Sequence, residues 1–267
     1  MQRDPAVANQ FYPGEAKSLR RMLEGLIPNI SDKQDALAVV SPHAGYIYSG
    51  AVAGETLAKV NIPADIIILG PNHHGYGKAV ALMDQGSWMM PLGEVDINET
   101  LAALLLKHSA TIKEDTLAHR FEHSLEVQVP FLQYLRQDFT ITPLVISYLS
   151  YETCREVGIS LAKAIKEYGK PVLMVASSDM SHYESRASAT AKDNLAIDRI
   201  KAFDPEGLYK TVKDKGITMC GVMPATIAMI AAQELGASKA ELVRYTDSGE
   251  ASGDISQVVG YAGIIIS

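Results

Sequence analysis

Three histidine-bearing stretches hold the side chains best suited to chemistry: Pro42-His43-Ala44-Gly45-Tyr46, Gly70-Pro71-Asn72-His73-His74-Gly75 and Ser178-Asp179-Met180-Ser181-His182-Tyr183. Imidazole is the commonest metal ligand and the side chain that titrates near neutral pH. His43, His73 and His182 therefore read as metal ligands or acid–base groups. Each stretch follows an apolar run: Ala36–Ser41, Ile66–Gly70 and Val172–Ser177. Four of the seven histidines lie within a few residues of such a run, which favours one shared site over coincidence. Neighbouring residues in an extended loop point opposite ways, so His73 and His74 divide into one ligand and one supporting residue. The sequence leaves open which is which.

Other residues add to the set. Asp179, three before His182, either holds that imidazole's tautomer as a carboxylate partner does or caps the next turn. Glu122, His123 and Glu126 read as a helix start within Phe121–Leu135, with Ser124 capping the helix that follows. A helix N-terminus would lower the pKa of His123 and let its neutral form donate to an anionic oxygen. Cys220 precedes Gly221 and an apolar helix, a place that favours thiolate, a nucleophile and soft ligand. Cys154 has no such neighbours and reads as structural. No phosphate-binding glycine loop and no Gly-x-Ser-x-Gly elbow occurs.

The elements that must position these residues follow from patterning. Short β-branched runs without charge read as strands buried on both faces, as in a parallel sheet. Pro71 has no N–H for a ladder and is expected to end the Ile66–Gly70 strand. Further strands are expected at Lys78–Met83, Thr140–Ser147, Ala240–Thr246 and Val258–Ile266. Helices are expected at Glu15–Leu26, Gly50–Val60, Asn98–His108, Tyr151–Tyr168, Ala187–Phe203, from Asp204-Pro205, and Met223–Leu235. Ser87–Val95, with Pro91 and Gly93, reads as a loop or edge segment. The alternation predicts a single α/β domain over residues 1–267, with a largely parallel central sheet flanked by helices. In such sheets ligands bind beyond the carboxyl ends of the strands, where the three histidine loops would meet.

Composition narrows the function classes. The chain is 47% hydrophobic and 21% charged, with a net charge of −7 and no basic cluster. That argues against nucleic acid or an anionic membrane as partner. Two cysteines make no disulfide framework, which points to a reducing compartment. The first ten residues lack a signal-peptide core, and the apolar stretch Ile217–Ala232 is broken by Pro224. A cytoplasmic protein is the expectation.

Taken in order, five motifs resemble the MEMO family: Pro42-His43-Ala44-Gly45-Tyr46, Leu69-Gly70-Pro71-Asn72-His73-His74, Glu122-His123-Ser124-Leu125-Glu126, Ser177-Ser178-Asp179-Met180-Ser181-His182 and Cys220-Gly221. The resemblance runs from Phe11-Tyr12 to Tyr261-Ala262-Gly263. It implies a fold similar to class III extradiol dioxygenases, nonheme iron enzymes whose metal is held by two histidines and a carboxylate. By that resemblance His43 and His73 are the histidine ligands, and Cys220 stands where the carboxylate would be. His182 maps onto the acid–base histidine with Asp179 beside it, and His123 onto a substrate-facing histidine. Fe(II) is the implied cofactor, while the softer thiolate shifts preference toward copper or zinc. The resemblance also implies association with an AMMECR1-like protein and a radical-SAM protein in microbes, and a role in receptor-driven cell motility in animals. Two function classes fit: a metal-dependent redox or oxygen-using enzyme, and a non-catalytic module that binds a metal, a small molecule or a peptide on the same fold. Zinc-assisted hydrolysis is a third, but bridging carboxylates are lacking.

Overall fold

The computed structural model describes residues 1–267. In chain order the elements are β1 (Gln2–Arg3), α1 (Ala16–Leu26), β2 (Ala38–Ser41), α2 (Tyr46–Ala58), β3 (Asp65–Pro71), β4 (Val80–Leu82), β5 (Ser87–Met90), β6 (Gly93–Asp96), α3 (Glu99–His108) and β7 (Lys113–Glu114). Then come α4 (Val129–Leu135), β8 (Thr140–Ile146), α5 (Tyr151–Tyr168), β9 (Val172–Ser177), β10 (His182–Glu184), α6 (Arg186–Lys201), α7 (Pro205–Asp214), α8 (Val222–Glu234), β11 (Ala240–Asp247), α9 (Gly249–Ser252) and β12 (Val258–Ile266).

Nine strands form one sheet in the order β10-β12-β2-β9-β3-β8-β4-β7, with β11 on β12. The middle four, β2, β9, β3 and β8, are parallel, whereas β12 joins β2 and β4 joins β8 antiparallel. The expected α/β architecture is therefore present, with a parallel centre and antiparallel flanks. Every residue of β2, β3 and β9 is buried. Period-two alternation splits their side chains between two layers. Ile67, Leu69, Met174 and Ala176 pack under α3, α5, α7 and α8, while Ile66, Ile68, Leu173 and Val175 pack under α1, α2 and α4.

Pro71 ends β3 as expected, as its last residue, paired with Ile146, and the following Asn72 N–H donates to the Ile146 carbonyl. The departures from expectation are local. Ser87–Val95 is a hairpin that pairs with β1 in a separate three-stranded sheet, with Pro91 in its turn. Phe121–Leu125 is not helical: a 3-10 turn at Glu126–Gln128 precedes α4. Ser124 caps nothing, because its hydroxyl donates to the Pro71 carbonyl at 3.0 Å. Asp204 does cap α7, accepting from the Gly207 N–H, with Pro205 in the first turn. No helix is long and apolar enough to cross a membrane.

The N-terminal segment is tied down by a buried carboxylate. Glu126 accepts from the Tyr12 hydroxyl and the Ala6 and Val7 N–H groups, and pairs with Arg3 at 2.8 Å. Arg3 also donates to the His119 and Glu122 carbonyls and lies 4.2 Å over the Trp88 ring. Both charged side chains are at most 5% exposed. Removing one partner of such a pair leaves the other buried and uncompensated. Arg3→Ala should therefore cost about 3 kcal/mol or more in urea denaturation, whereas Lys210→Ala, which breaks the exposed Glu206–Lys210 pair, should cost less than about 0.5 kcal/mol.

Candidate metal centre

The loops after β2, β9 and β3 leave neighbouring parallel strands at the same end, so His43, Asp179 and His73 meet there. The Phe121–Leu125 loop closes the site from across β3. It lies close because Gly70 has no side chain: a Cβ there would come within 2.4 Å of Leu125 and 2.5 Å of the Ser124 hydroxyl. Gly221 does the same on the other side, where a Cβ would stand 2.3 Å from the Ser177 carbonyl. That approach brings Cys220 against the histidines.

His43, His73 and His123 come together, with one donor atom from each lying within 4.8 Å of the others. The ring centroids of His73 and His123 are 4.6 Å apart and nearly stacked, and that of His43 stands edge-on 5.3 and 5.6 Å from them. Phe11 backs His123 at 4.8 Å. The Cys220 Sγ lies 3.3 Å from the His43 Nε2.

Hydrogen bonds set the tautomers. The Ser177 hydroxyl donates its single proton to the Ser124 carbonyl at 2.6 Å. It can therefore only accept, from the Gln128 amide and from the His43 Nδ1, both at 2.9 Å. His43 is protonated on Nδ1, and its Nε2 lone pair faces Cys220. His73 places Nδ1 2.8 Å from the Glu122 Oε1, which leaves its Nε2 for the site. Glu122 also accepts the His73 and Ser124 backbone N–H groups. Burial alone would raise its pKa, but His73 and these donors outweigh burial and hold the carboxyl at about 2.

Burial keeps the His43 and His123 imidazoles neutral. Burial, then the nearby His73, lowers His43 to about 3. Burial and His43 lower His123 to about 4. The expected helix-terminus effect on His123 is absent, since no helix begins there. Cys220 was expected to favour thiolate. Burial and the neighbouring Asp179 instead push its thiol up, and the amide of Asp179 donates to its sulfur at 3.2 Å.

The other expected residues are placed as follows. Asp179 does not hold His182: its Oδ1 accepts the His43 backbone N–H at 2.8 Å, and burial raises its pKa. His182 is positioned by Thr218, whose carbonyl faces its Nδ1 at 2.9 Å and whose hydroxyl accepts its N–H. His74 points away from the centre, exposed, with its Nε2 on the Phe121 carbonyl and its ring on Tyr76. Cys154 is buried against the Met223 sulfur. Sequence reasoning missed Glu122 as the partner of His73. The adjacency Glu122-His123 was the one available hint.

A family model described as Memo-like protein matches residues 3–265. The chain belongs to the Memo-like family. A MEMO1 family protein of Methanopyrus kandleri is 42% identical over 99% of both chains, and one of Aquifex aeolicus is 42% identical over 98% of both. One of Methanococcoides burtonii is 43% identical over 99% of both. Among solved structures, an uncharacterised Escherichia coli K12 protein shares the fold, with a TM-score of 0.51 and 16% identity over 85% of this chain and 98% of that one. The three-histidine centre thus sits on a Memo-like fold.

The lowered imidazoles set a pH dependence. Unfolded histidines take up protons near pH 6.5, whereas His43 and His123 do so only near 3 and 4, and buried His119 near 4. Between those values the unfolded chain binds more protons, so stability falls as pH falls below about 6.5. Glu122 adds the same sign below 4.5. Each imidazole contributes at most about 1.4 kcal/mol per pH unit. Chelator-stripped protein should lose stability steadily from pH 6.5 to 4 in urea titrations, and His123→Asn should flatten the slope. A flat wild-type profile would contradict this account.

Proposed function

We propose that this Memo-like chain is a metal-dependent redox or oxygen-using enzyme whose ion is held by His43, His73 and His123, with Cys220 joining as thiolate. The observation that carries the reading is the convergence of three imidazoles, two of them, His43 and His73, with Nδ1 engaged behind the site, while burial holds His43 and His123 neutral. Metal ligands need this protonation state, and a carboxylate behind a ligating imidazole fixes its orientation and raises its basicity. The donor set fits a transition metal better than magnesium or calcium, which take oxygen ligands. Iron(II) is the occupant we assign first. Copper is its rival because thiolate and imidazole both suit it, and zinc would fill the same donors without redox activity.

When bound, the ion supplies Lewis-acid and one-electron chemistry at its open positions. The chain's own residues do the rest. Glu122 and Ser177 hold His73 and His43 in place. Cys220 would hold the ion as thiolate, because a bound cation would lower the pKa of a thiol that burial otherwise raises. His182 keeps Nδ1 on the Thr218 carbonyl, which leaves Nε2 to take and return a proton. The competing reading, a binding module without turnover, draws support from Tyr148 and Tyr183, which are 70% and 75% exposed near this end of the sheet.

Elemental analysis of anaerobically purified protein tests the proposal. Wild type should carry close to one iron or copper per chain, and His73→Ala and His123→Ala should carry almost none. Glu122→Gln should bind roughly 10- to 100-fold more weakly. Cys220→Ser should keep an ion but lose the thiolate-to-metal absorption band. His182→Ala should retain the full metal content. Wild type that stays metal-free after reconstitution would overturn the reading.

A further inference from the structure

Cys220 has a second face. A cleft of about 390 Å³ runs from Asn72, next to His73, past Cys220 and Thr218 to Lys213 on α7. Its volume falls within the range of small-molecule sites. The walls are largely apolar, with Ile146, Val212, Met219 and Met223 facing the phenols Tyr148 and Tyr209. We propose that this cleft binds a small amphipathic anion, an apolar body with one carboxylate-type group.

The charge argument decides the class. Lys213 is the single ionisable cation among the lining residues, and no carboxylate lines the cleft. Lys213 is exposed and forms no salt bridge, unlike Lys210 one turn earlier, which is tied to Glu206 at 2.5 Å. The cleft also receives the first turn of α8, where Gly221 offers no side-chain cap and Val222 and Met223 line the wall. A helix start carries partial positive charge, so the Cys220 end does not oppose a negatively charged ligand, while Lys213 is the group that would anchor the anion. At the opposite end, Asn72 donates to the Ser147 hydroxyl, whose own proton is free for a ligand oxygen. Thioether and phenol walls suit a flat or ring-bearing body. The cleft thus holds a molecule by its anion at Lys213 and presents its other end at Asn72 and Cys220.

Thr218 both lines this cleft and holds His182. A molecule seated there lies against the residue that sets the proposed acid–base group. This inference deepens the metal-centre reading by naming the class of molecule delivered to it. It rests on that reading for chemistry and not for binding.

The test uses full-length protein stripped of metal, titrated by calorimetry and ligand-observed NMR with 4-phenylbutyrate, 4-phenylbutan-1-ol and 4-phenylbutylamine. The acid should bind best and weaken with added salt. Lys213→Met should weaken the acid about three- to fivefold and leave the alcohol unchanged, as expected for one exposed charge. Ser147→Trp should weaken all three ligands at least tenfold by filling the cleft, with far-UV circular dichroism showing both variants folded. The proposal is overturned if the acid does not bind, if the three ligands bind alike, or if neither variant changes binding. Metal titration of the same samples separates the two readings. Metal uptake without acid binding refutes the cleft alone, and acid binding without metal uptake upholds the cleft and refutes the metal centre.

Discussion

The Glu122 carboxylate is the contact on which the centre depends. It is 1% exposed, and three donors converge on it: the His73 ring, the His73 amide and the Ser124 amide. A buried carboxylate is tolerated only when it is fully engaged, so the loop after β3 and the loop before α4 are locked to each other. That lock turns His73 inward, stacks His123 on it and sends His74 to the surface. The Glu122 backbone carbonyl extends the chain of contacts to Arg3, and through Arg3 to Glu126 and the first dozen residues. One ionised group thereby couples the strand ends, the closing loop and the N-terminal segment.

The sheet supplies the other half of the arrangement. Placing β9 between β2 and β3 puts three loops side by side without any long-range pairing of the loops themselves. Ser177 and Ser41 are register partners across β9 and β2, so the hydroxyl that orients His43 stands beside the strand that delivers it. Glycine matters where backbone meets backbone. Gly70 and Gly221 leave room that a single methyl group would fill.

Much of this was legible in the sequence because burial on both faces leaves a strong mark. The runs Ile66–Gly70, Ala36–Ser41 and Val172–Ser177 announce the parallel core; of the histidines at their ends, only His43 and His73 join the cluster, whose third member, His123, comes from a loop without such a mark. The spacing of Glu122, Ser124 and Glu126 imitates a capped helix start, but helical structure begins only with the 3-10 turn at Glu126 and Ser124 caps nothing. In the fold, all three side chains are taken by distant partners, which local propensity cannot register. Cys220 was read from its helix position. What governs its thiol is burial beside Asp179, a neighbour 41 residues away in sequence. Asp179 and His182 are close in sequence, yet their side chains hydrogen-bond different elements.

The separation between partners has a consequence for how the centre comes into being. His43 meets Cys220 across 177 residues and Ser177 across 134, and Arg3 meets Glu122 across 119. No short fragment contains two adjacent walls of the site. Loop closure over such distances is slow, and it is rewarded only when the sheet is in place. Cys220 is the last of these walls in chain order, after all three histidines. In a zinc finger a local cluster captures an ion and the ion drives folding, whereas here His43, His73 and His123 come together only when the sheet is assembled. Under the proposed reading, an ion would enter a scaffold whose sheet is already assembled.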